Sequence, residues 1–343
     1  MSFRVTLQPS QRQFDVADDE AILTAAIREG IGLPYGCKDG ACGSCKSRLL
    51  EGRVVHGSHQ ASALTEAEEA AGLILTCRAR PQTDCTVEAR SVPGMGDYPI
   101  VKMPGRILAL ERPAPDVALL RVQLPGNQKF AWRAGQYVEF ILQGGVRRSY
   151  SMANAPHQVG EPPSIELHVR HMPGGVFTDH VFGAMKVKDI VRMEGPFGTF
   201  FLREDSRAPV VLLASGTGFA PIKAIIEHMQ TLAEPRPTVL YWGVRRPADL
   251  YLHAWAEAAA ASLPWLRYVP VCSEPRPEDG WLGRSGFVHQ AVMADLPDLS
   301  AQQVYACGAP AMVHAAQTDF TQRCGLPDEA FFADAFTSEA DKH

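Results

Sequence analysis

Hydrophobic residues in the first part of the chain alternate with polar ones and then recur at helical spacing. Phe3, Val5 and Leu7 occupy every second position, which predicts a β-strand with one buried face. The segment 18–30 opens with acidic residues, carries apolar residues three and four positions apart, and ends in a glycine, as a helix does. A capping box at 65–68 predicts a second, shorter helix that ends near residue 72. Together these patterns predict a small α+β domain.

The rest of the chain shows two further patterns. Between residues 104 and 205, short apolar runs such as Leu119–Val122 and Ile165–Val169 are separated by glycine and proline turns, which predicts a small antiparallel barrel. Later, apolar strands at Pro209–Ala214 and Thr238–Val244 alternate with helical segments. This alternation predicts an α/β domain with an open parallel sheet.

Breaks in these patterns divide the chain into three predicted domains. Pro93-Gly94 and Pro104-Gly105 are dipeptides that interrupt regular elements, so a linker is predicted near them. The predicted divisions are an α+β domain at 1–92, a linker at 93–103, an antiparallel barrel at 104–205 and an α/β domain at 206–343.

Composition fits an ordinary globular protein and narrows the classes of partner. The 343 residues are 46% hydrophobic and 21% charged, which suits two or three domains with cores of their own. A net charge of −5 does not favour nucleic-acid binding, which needs a concentrated basic face. The sequence shows no run of ~20 apolar residues and no secretory signal, so we expect a soluble, cytoplasmic protein without a membrane span.

Four of the eight cysteines lie close together in the first predicted domain. The spacing C-x4-C-x2-C over Cys37, Cys42 and Cys45, with Cys77 after 31 intervening residues, matches the plant-type [2Fe–2S] pattern. Glycines between these cysteines let the backbone wrap closely around a cluster and direct N–H groups at its sulfurs. Cys85 lies outside the spacing, and we expect it to be a buried thiol that is not a ligand.

Over about 90 residues this segment resembles the plant-type ferredoxin domain. The resemblance implies a β-grasp fold and a [2Fe–2S] cluster held by Cys37, Cys42, Cys45 and Cys77. A zinc site or a set of inert cysteines is the alternative, although zinc sites usually carry paired C-x2–4-C units.

Three groups of residues on the predicted barrel suit a flavin dinucleotide. Arg148 offers a guanidinium for a pyrophosphate, Tyr150 an aromatic face, and Ser151 a hydroxyl for a ring nitrogen. His168-Val169-Arg170 follows on a later strand, and the glycine turn 174–178 leads into a helix whose first N–H groups can bind an anion. Each group taken alone is equally compatible with core packing or a surface charge.

In this order the groups resemble the ferredoxin-reductase family, whose FAD domain is a six-stranded barrel. The resemblance implies that Arg148 binds the FAD pyrophosphate, that Tyr150 packs on the isoalloxazine ring, and that Ser151 is a catalytic residue near flavin N5. Further contacts to FAD are implied for His168, Arg170, Gly174, Gly175, Val176 and Thr178.

Two turns of the last domain suit a nicotinamide nucleotide. Gly216-Thr217-Gly218 follows a strand and opens a helix, although it lacks the third glycine of the Rossmann fingerprint. The family resemblance implies that this turn binds the pyridine nucleotide; a tight turn without a ligand is the alternative. The motif Cys307-Gly308-x-Pro310 is implied to bind the nucleotide too, with Cys307 beside the nicotinamide as a catalytic residue. A small side chain there permits close approach of two rings for hydride transfer.

The nucleotide preference and the end of the chain leave alternatives open. No acid stands at the end of the strand at Thr238–Val244 to meet ribose hydroxyls, while Arg245 and Arg246 suit either a 2′-phosphate or open solvent. The domain order resembles oxygenase reductases, which favours NADH over NADPH. Relatives end in a strand with an aromatic residue near the flavin, so Phe336 is expected to cap the ring, with core packing as the alternative.

The order of ferredoxin, FAD barrel and nucleotide domain resembles reductase components of oxygenases and the CDP-6-deoxy-Δ3,4-glucoseen reductase of deoxysugar synthesis. The resemblance implies an electron-transfer oxidoreductase in which NADH, or NADPH, reduces FAD. The [2Fe–2S] cluster then passes single electrons to an acceptor protein, either an oxygenase or a dehydrase component. A non-catalytic redox sensor and a zinc-stabilised interaction domain are the alternatives from other classes.

Overall fold

The structure is a computed structural model that describes residues 1–94 and 96–337. Contacts between residues group it into two compact units. Of the described residues, the first contains those between Met1 and Pro99 together with 334–337, and the second contains Ile100–Ala333. Within the described ranges, none of the helices combines the length and the apolar character needed to cross a bilayer.

The first unit is built on a five-stranded sheet with two short helices. Its elements are β1 (Ser2–Gln8), β2 (Gln13–Ala17), α1 (Ile22–Arg28), β3 (Lys46–Glu51), β4 (Val54–His56), α2 (Glu66–Ala70), β5 (Leu73–Leu75), β6 (Ala79–Pro81) and β7 (Cys85–Glu88). The strand order is β2-β1-β7-β3-β5, and β4 pairs separately with β6. Val5, Val16 and Val87 are fully buried, as the alternating pattern requires of inward-facing positions. The predicted α+β architecture is confirmed.

The first helix is shorter than the sequence pattern predicts. In place of a helix over 18–30, residues 18–20 form a turn, and α1 begins only at Ile22. Glu20 stabilises this turn. Its carboxylate accepts the N–H of Ala17 at 3.4 Å and a hydrogen bond from Arg28 Nη2 at 3.1 Å. Because Ala17 ends β2, a strand the pattern did not predict, the chain must leave the sheet before the helix can start.

The second unit begins with six antiparallel strands that close into a barrel. Its elements are β8 (Val101–Ala114), β9 (Val117–Gln123), β10 (Tyr137–Ile141), β11 (Arg147–Ser151), β12 (Ser164–Arg170), α3 (Val176–Gly183) and β13 (Ile190–Phe197). The strand order is β11-β10-β13-β8-β9-β12, and a bridge between Met152 and Leu167 joins the two ends of this sheet. Leu120, Phe140 and Met193 lie in its core. The predicted six-stranded antiparallel barrel is confirmed.

Pro104-Gly105 lies inside a strand, so the prediction that it interrupts regular structure is wrong. Both residues pair with β13. At Pro104, β8 pairs with β13 alone because its register with β9 begins at Arg106, and a proline without an N–H is tolerated there. At Gly105 a Cβ would lie 2.5 Å from Cγ1 of Val122, so close packing of the strands requires the glycine.

The second unit continues with a six-stranded sheet covered by helices. Its elements are β14 (Val210–Ser215), α4 (Phe219–Met229), β15 (Thr238–Val244), α5 (His253–Ser262), β16 (Leu266–Cys272), β17 (Arg284–Ser285), α6 (Val288–Asp295), β18 (Gln303–Gly308), α7 (Pro310–Arg323) and β19 (Phe331–Ala335), of which residues 331–333 belong to this unit. The strand order is β17-β16-β15-β14-β18-β19, and β14 runs parallel to both of its neighbours. The strand order reverses at β14, so a ligand crevice is expected at the carboxyl ends of β14 and β18. The predicted parallel sheet is confirmed.

Candidate active site

Three of the predicted cluster ligands lie in the loop between α1 and β3, and the fourth, Cys77, lies between β5 and β6. Sγ of Cys45 lies 3.2 Å from Sγ of Cys77, and the N–H of Cys37 donates to Sγ of Cys42 at 3.4 Å. Cys77 also interacts electrostatically with Cys37 and Cys42, so the four thiols share one site. Cys85 lies apart from them at the start of β7, where its buried thiol donates to a carbonyl oxygen two residues away at 3.2 Å.

Gly40 allows this loop to pack tightly. Its φ of +85° lies in the left-handed region, and a Cβ there would lie 2.8 Å from Cγ of Arg78. Arg78 follows Cys77 directly and donates from Nε to the carbonyl oxygen of Ser58 at 2.8 Å. The arginine therefore ties a neighbouring segment to the cluster loop, and a side chain at position 40 would displace it.

The four thiols form a donor set that needs a cationic group. A hydrogen bond with Cys45, together with burial, raises the pKa of Cys77, and a hydrogen bond with Cys42 does the same for Cys37. The hydrogen bond from Cys37 and further donors lower the pKa of Cys42 to about 6. Four thiolates confined in this volume require compensating positive charge, which two iron ions supply. The residues present therefore fit a [2Fe–2S] cluster.

The predicted flavin residues of the first group lie on β11. Tyr150 packs against Phe140 and Phe177, with ring centroids 5.9 and 5.0 Å away, and burial raises the pKa of its phenol. Arg148 lies two positions earlier on the same face of the strand, and its Nη1 donates to the neighbouring carbonyl oxygen at 2.8 Å. Ser151 is buried at the end of β11. This strand therefore offers a guanidinium, a neutral aromatic ring and a hydroxyl within four residues.

The glycine turn presents the N-terminus of α3. Gly175 is the N-cap residue, and no side chain caps the first-turn N–H groups, which begin at Val176. The side chain of Thr178 stabilises the turn, because its hydroxyl donates to the carbonyl oxygen of Met172 at 2.8 Å. A Cβ at Gly175 would lie 2.6 Å from that hydroxyl, so only glycine fits. The predicted pyrophosphate contacts at Gly174, Gly175 and Val176 are thus compatible with backbone donors.

The two predicted nicotinamide turns meet at the carboxyl ends of β14 and β18. A Cβ at Gly218 would lie 2.2 Å from the carbonyl oxygen of Cys307, so glycine is required for the turns to touch. Gly308 has a φ of +132°, and a Cβ there would lie 2.3 Å from Oγ of Ser215. The side chain of Cys307 is fully buried, and Pro310 begins α7. Together the glycines let the two turns pack directly against each other, which fits a site where a nucleotide approaches backbone closely.

Sequence reasoning missed two residues that hold these turns. Oγ of Ser215 accepts the N–H of Ala309 at 2.8 Å and so ties β14 to the second turn. Nε1 of Trp242 donates to the carbonyl oxygen of Gly216 at 3.0 Å, while its ring stacks on Phe219 at a centroid distance of 3.9 Å. Only the position of Ser215, immediately before the glycine turn, offered a signal in the sequence.

The two arginines after β15 have different surroundings. Arg246 forms an ion pair with Asp279, to which its Nε donates at 3.1 Å. Arg245 is exposed, and its carbonyl oxygen accepts the N–H of Glu274 at 2.9 Å. An exposed acid therefore stands beside Arg245, supplied by the segment after β16 rather than by β15 itself. The sequence pattern at the end of Thr238–Val244 did not indicate this acid, because it comes from a different segment of the chain.

Arg170 lies where the barrel meets the nucleotide turn. Its Nε donates to Oδ2 of Asp116 at 2.9 Å, which fixes the guanidinium. A Cβ at Gly216 would lie 2.9 Å from Nη1 of Arg170. Arg170 therefore touches the predicted nicotinamide turn, whereas the sequence assigned it to the flavin.

A buried polar network lies beside these turns. Nε2 of His168 lies 3.0 Å from Glu166 and Nδ1 lies 2.8 Å from the hydroxyl of Tyr251. Nζ of Lys223 lies 3.2 Å from Glu166 and 2.6 Å from Glu227. The imidazole of His168 has no exposed surface, so the predicted flavin contact of this residue rests on its backbone.

Lowering the pH is expected to remove the stabilisation that Glu166 provides. Burial raises the pKa of Glu166, but the hydrogen bond with His168 and the charge of Lys223 outweigh it and lower the pKa from 4.5 to about 2. Because the folded state has the lower pKa, the stabilisation of up to about 3 kcal/mol is present above pH 4.5 and is lost as the pH falls towards 2. Urea unfolding should show the wild type more stable than Glu166→Gln at neutral pH, with the difference shrinking in acid. A difference that stays constant with pH would contradict this assignment.

Phe336 follows β19 and is half-buried. Contacts group it with the first unit rather than with residues 100–333. Its predicted role in capping the flavin ring therefore stays a prediction.

Three family models match consecutive parts of the chain. The 2Fe-2S iron-sulfur cluster binding domain matches residues 5–82, the oxidoreductase FAD-binding domain 105–202, and the oxidoreductase NAD-binding domain 212–318. The CDP-6-deoxy-L-threo-D-glycero-4-hexulose-3-dehydrase reductase of Yersinia pseudotuberculosis is 42% identical over 336 residues, covering 98% of this chain and 99% of that protein. The chain belongs to the ferredoxin–NAD(P)H reductase family of flavoproteins with an N-terminal plant-type [2Fe–2S] domain.

This reductase is also similar to proteins that serve oxygenases. Reductase component 1 of terephthalate 1,2-dioxygenase from Comamonas sp. is 33% identical over the whole of both chains, at 100% coverage. The crystal structure of the Amycolatopsis cytochrome P450 reductase GcoB superposes with a TM-score of 0.77 at 34% identity, covering 98% of this chain and 99% of that one. The reductase is therefore an enzyme that transfers electrons from a reduced nicotinamide nucleotide through FAD and a [2Fe–2S] cluster to a partner protein.

Proposed function

We propose that this reductase delivers electrons from NADH to a sugar-nucleotide dehydrase. The observation that carries the proposal is its 42% identity with the Yersinia protein named as a hexulose-3-dehydrase reductase, against 33% with the terephthalate dioxygenase component. Both relatives align with nearly the whole chain, so the difference in identity does not come from a missing domain. An oxygenase component remains the second candidate partner, because the same domain order serves both.

The chain's own residues would perform the first half of this transfer. Arg148 and the N-terminus of α3 would bind the FAD pyrophosphate, and Tyr150 would hold the isoalloxazine ring in place. Gly218 and Cys307 would let the nicotinamide approach closely, at the spacing that hydride transfer requires. FAD, when bound, converts the pair of electrons from a hydride into single electrons that the cluster can carry.

A coupled assay distinguishes the two partners. The purified reductase is mixed with NADH and a CDP-6-deoxy-L-threo-D-glycero-4-hexulose 3-dehydrase, and NADH consumption is followed with and without the sugar nucleotide. We expect consumption that depends on both the dehydrase and its substrate. A parallel reaction contains the terminal component of terephthalate 1,2-dioxygenase and terephthalate. Turnover with the oxygenase and none with the dehydrase would overturn the proposed partner, while cytochrome c reduction would show that the reductase itself is active.

The cytoplasm is the location that suits this function. NADH and sugar nucleotides are generated there, and the four cysteines outside the cluster site, Cys85, Cys272, Cys307 and Cys324, are free thiols, as a reducing compartment maintains them. Fractionation of cells that express the tagged reductase tests the location, and recovery of activity outside the cytoplasmic fraction would contradict it.

Charge reversal at Glu274 is expected to weaken the preference for NADH. The backbone of Glu274 pairs with that of Arg245 next to the carboxyl end of β15, and the residue is exposed, so its carboxylate would be available to bind ribose hydroxyls and repel a 2′-phosphate. For Glu274→Arg we expect the ratio of kcat/KM for NADH to that for NADPH to fall by about tenfold. Initial rates of cytochrome c reduction with each nucleotide provide the measurement.

The matched control is Glu234→Arg, which makes the same change of charge elsewhere. Glu234 is 80% exposed and pairs with Arg207 at 3.1 Å, away from the carboxyl ends of the strands. This variant should leave the nucleotide preference unaltered. If both variants change the ratio equally, overall charge rather than a ribose contact explains the preference.

A further inference from the structure

The barrel and the nucleotide sheet of the second unit meet through polar contacts. Glu166 and His168 lie on β12 of the barrel, whereas Lys223 and Glu227 lie on α4, and Tyr251 precedes α5. His168, Lys223 and Glu227 are all buried. Hydrogen bonds and ion pairs that connect these elements therefore lie in the interior, where charged groups are retained only with good partners.

We propose that this network positions the nicotinamide turn relative to the flavin barrel, and that Tyr251 and His168 are positioning residues for hydride transfer. The inference rests on the proposed flavin and nicotinamide sites and concerns their mutual alignment. It assigns no contact between these side chains and either cofactor.

The chemistry of the network fixes its hydrogen-bond directions. Burial lowers the pKa of His168, so the imidazole is neutral and has one donor and one acceptor nitrogen. The ionised carboxylate of Glu166 can only accept, so Nε2 of His168 carries the proton and donates to it. Nδ1 is then the acceptor for the hydroxyl of Tyr251. The Tyr251 hydroxyl thus has one defined partner, which belongs to the barrel.

Lys223 connects a second pair of elements in the same way. Its Nζ donates to the carbonyl oxygen of Ala153 at 3.1 Å and binds the carboxylates of Glu166 and Glu227. Glu227 in turn accepts the N–H of Ala155 at 2.9 Å. One helix of the nucleotide sheet is therefore bonded to both the strand β12 and the segment after β11.

These contacts lie next to the residues assigned to the two cofactors. The bridge between Met152 and Leu167 is antiparallel, and continuing its register places Ser151 opposite His168. Two residues beyond His168, Arg170 approaches Gly216 in the nicotinamide turn. The helix that carries Lys223 begins directly after that turn. A small slide of α4 along β12 would therefore move the two predicted cofactor sites past each other.

Directional bonds suit this task better than apolar packing alone. The ring of Tyr251 packs edge-on against Trp242 and Phe219, at centroid distances of 5.2 and 6.4 Å. Such ring contacts tolerate a range of offsets, whereas a hydrogen bond weakens steeply when its angle or length changes. The network therefore selects one register among the packings that the rings allow.

Tyr251→Phe tests the proposal because it removes the hydroxyl and retains the ring. The FAD-loaded full-length variant is mixed with NADH in a stopped-flow instrument, and the rate constant of flavin reduction is measured together with the Kd for NAD+. The long-wavelength charge-transfer absorbance of the flavin–nicotinamide complex provides a readout of ring alignment that does not depend on turnover. We expect flavin reduction to slow by about tenfold, the charge-transfer band to weaken, and the Kd to change little.

Tyr268→Phe is the matched control. Tyr268 also bonds a histidine through its hydroxyl, to Nδ1 of His253 at 3.1 Å, but both residues belong to the nucleotide sheet and its helices. Removing this hydroxyl should leave the charge-transfer band and the rate of flavin reduction unaltered, even if it lowers the thermal unfolding midpoint as much as Tyr251→Phe does.

Two substitutions of His168 provide a second line of evidence. His168→Gln retains a donor and an acceptor for the network and should keep most of the charge-transfer intensity, whereas His168→Leu should lose it. The proposal is overturned if Tyr251→Phe lowers the thermal midpoint but leaves both the band and the reduction rate at wild-type values. If the wild-type protein binds FAD but NADH does not reduce it, the assignment of the flavin and nicotinamide sites is wrong. That result differs from one in which only the positioning role of the network is wrong.

Discussion

Replacing Cys77 by alanine is expected to abolish electron delivery to a protein acceptor while leaving reduction of the flavin by NADH intact. Cys77 lies 3.2 Å from Cys45 and shares the site with the other two thiols, so its loss leaves three ligands for a cluster that needs four. Losing even an outer-shell partner of a metal site weakens it 10- to 100-fold, so we expect cytochrome c reduction to fall by roughly 100-fold or more. NADH-dependent reduction of ferricyanide, which the flavin performs directly, should persist.

Cys85→Ala is the control for this prediction. Cys85 is equally buried, but its thiol bonds to nearby carbonyl oxygens rather than to the cluster thiols. Iron content, the visible spectrum of the cluster and cytochrome c reduction should all match the wild type in this variant. Equal loss of iron in both variants would mean that general disruption of the first unit, not loss of a ligand, explains the result.

Gly218→Ala is expected to slow hydride transfer by about 100-fold while FAD and the cluster stay bound. The added Cβ would lie 2.2 Å from the carbonyl oxygen and 2.5 Å from the carbonyl carbon of Cys307, both of them backbone atoms that cannot rotate away. The two nicotinamide turns must therefore separate, which changes the backbone surface that they present to the nucleotide. Single-turnover reduction of the flavin by NADH measures the effect, and flavin and iron contents measured on the same sample verify loading.

Gly183→Ala serves as the matched control, because a Cβ at the end of α3 would meet no atom within 4 Å. Its reduction rate should equal that of the wild type. A wild-type rate in Gly218→Ala would show that the nucleotide does not bind at these two turns, and it would contradict the assignment of Cys307 to the nicotinamide.

Local sequence patterns predicted those elements that short-range chemistry decides. The strand at Thr238–Val244 has the predicted bounds, and the capping box formed as expected, with Thr65 and Glu68 bonded to each other's backbone. The cysteine spacing likewise predicted that Cys37, Cys42 and Cys45 converge, because the loop between them is too short to place them far apart. Each of these features depends on residues only a few positions apart.

Patterns were misleading where another strand determined the outcome. The dipeptide Pro104-Gly105 predicts a break in regular structure, but it pairs with β13. Val122 packs so closely against position 105 that glycine is the residue that fits. The acidic residues at 18–20 predict the start of a helix, but they form a turn because β2 occupies the preceding residues. In both places the deciding contact comes from a partner segment that local periodicity does not describe.

The sequence by itself determined the kinds of chemistry this reductase carries: a thiol quartet, an arginine–tyrosine–serine strand and two glycine turns, each encoded within a short stretch of chain. Only the tertiary structure decided which residues align these pieces. The N–H of Glu274, in the segment after β16, bonds to the carbonyl oxygen of Arg245, and the hydroxyl of Tyr251 bonds to His168 across 83 positions of sequence. The physical reason is that burial and hydrogen-bond partners between distant segments exist only after folding, whereas spacing and backbone preference are properties of the chain itself.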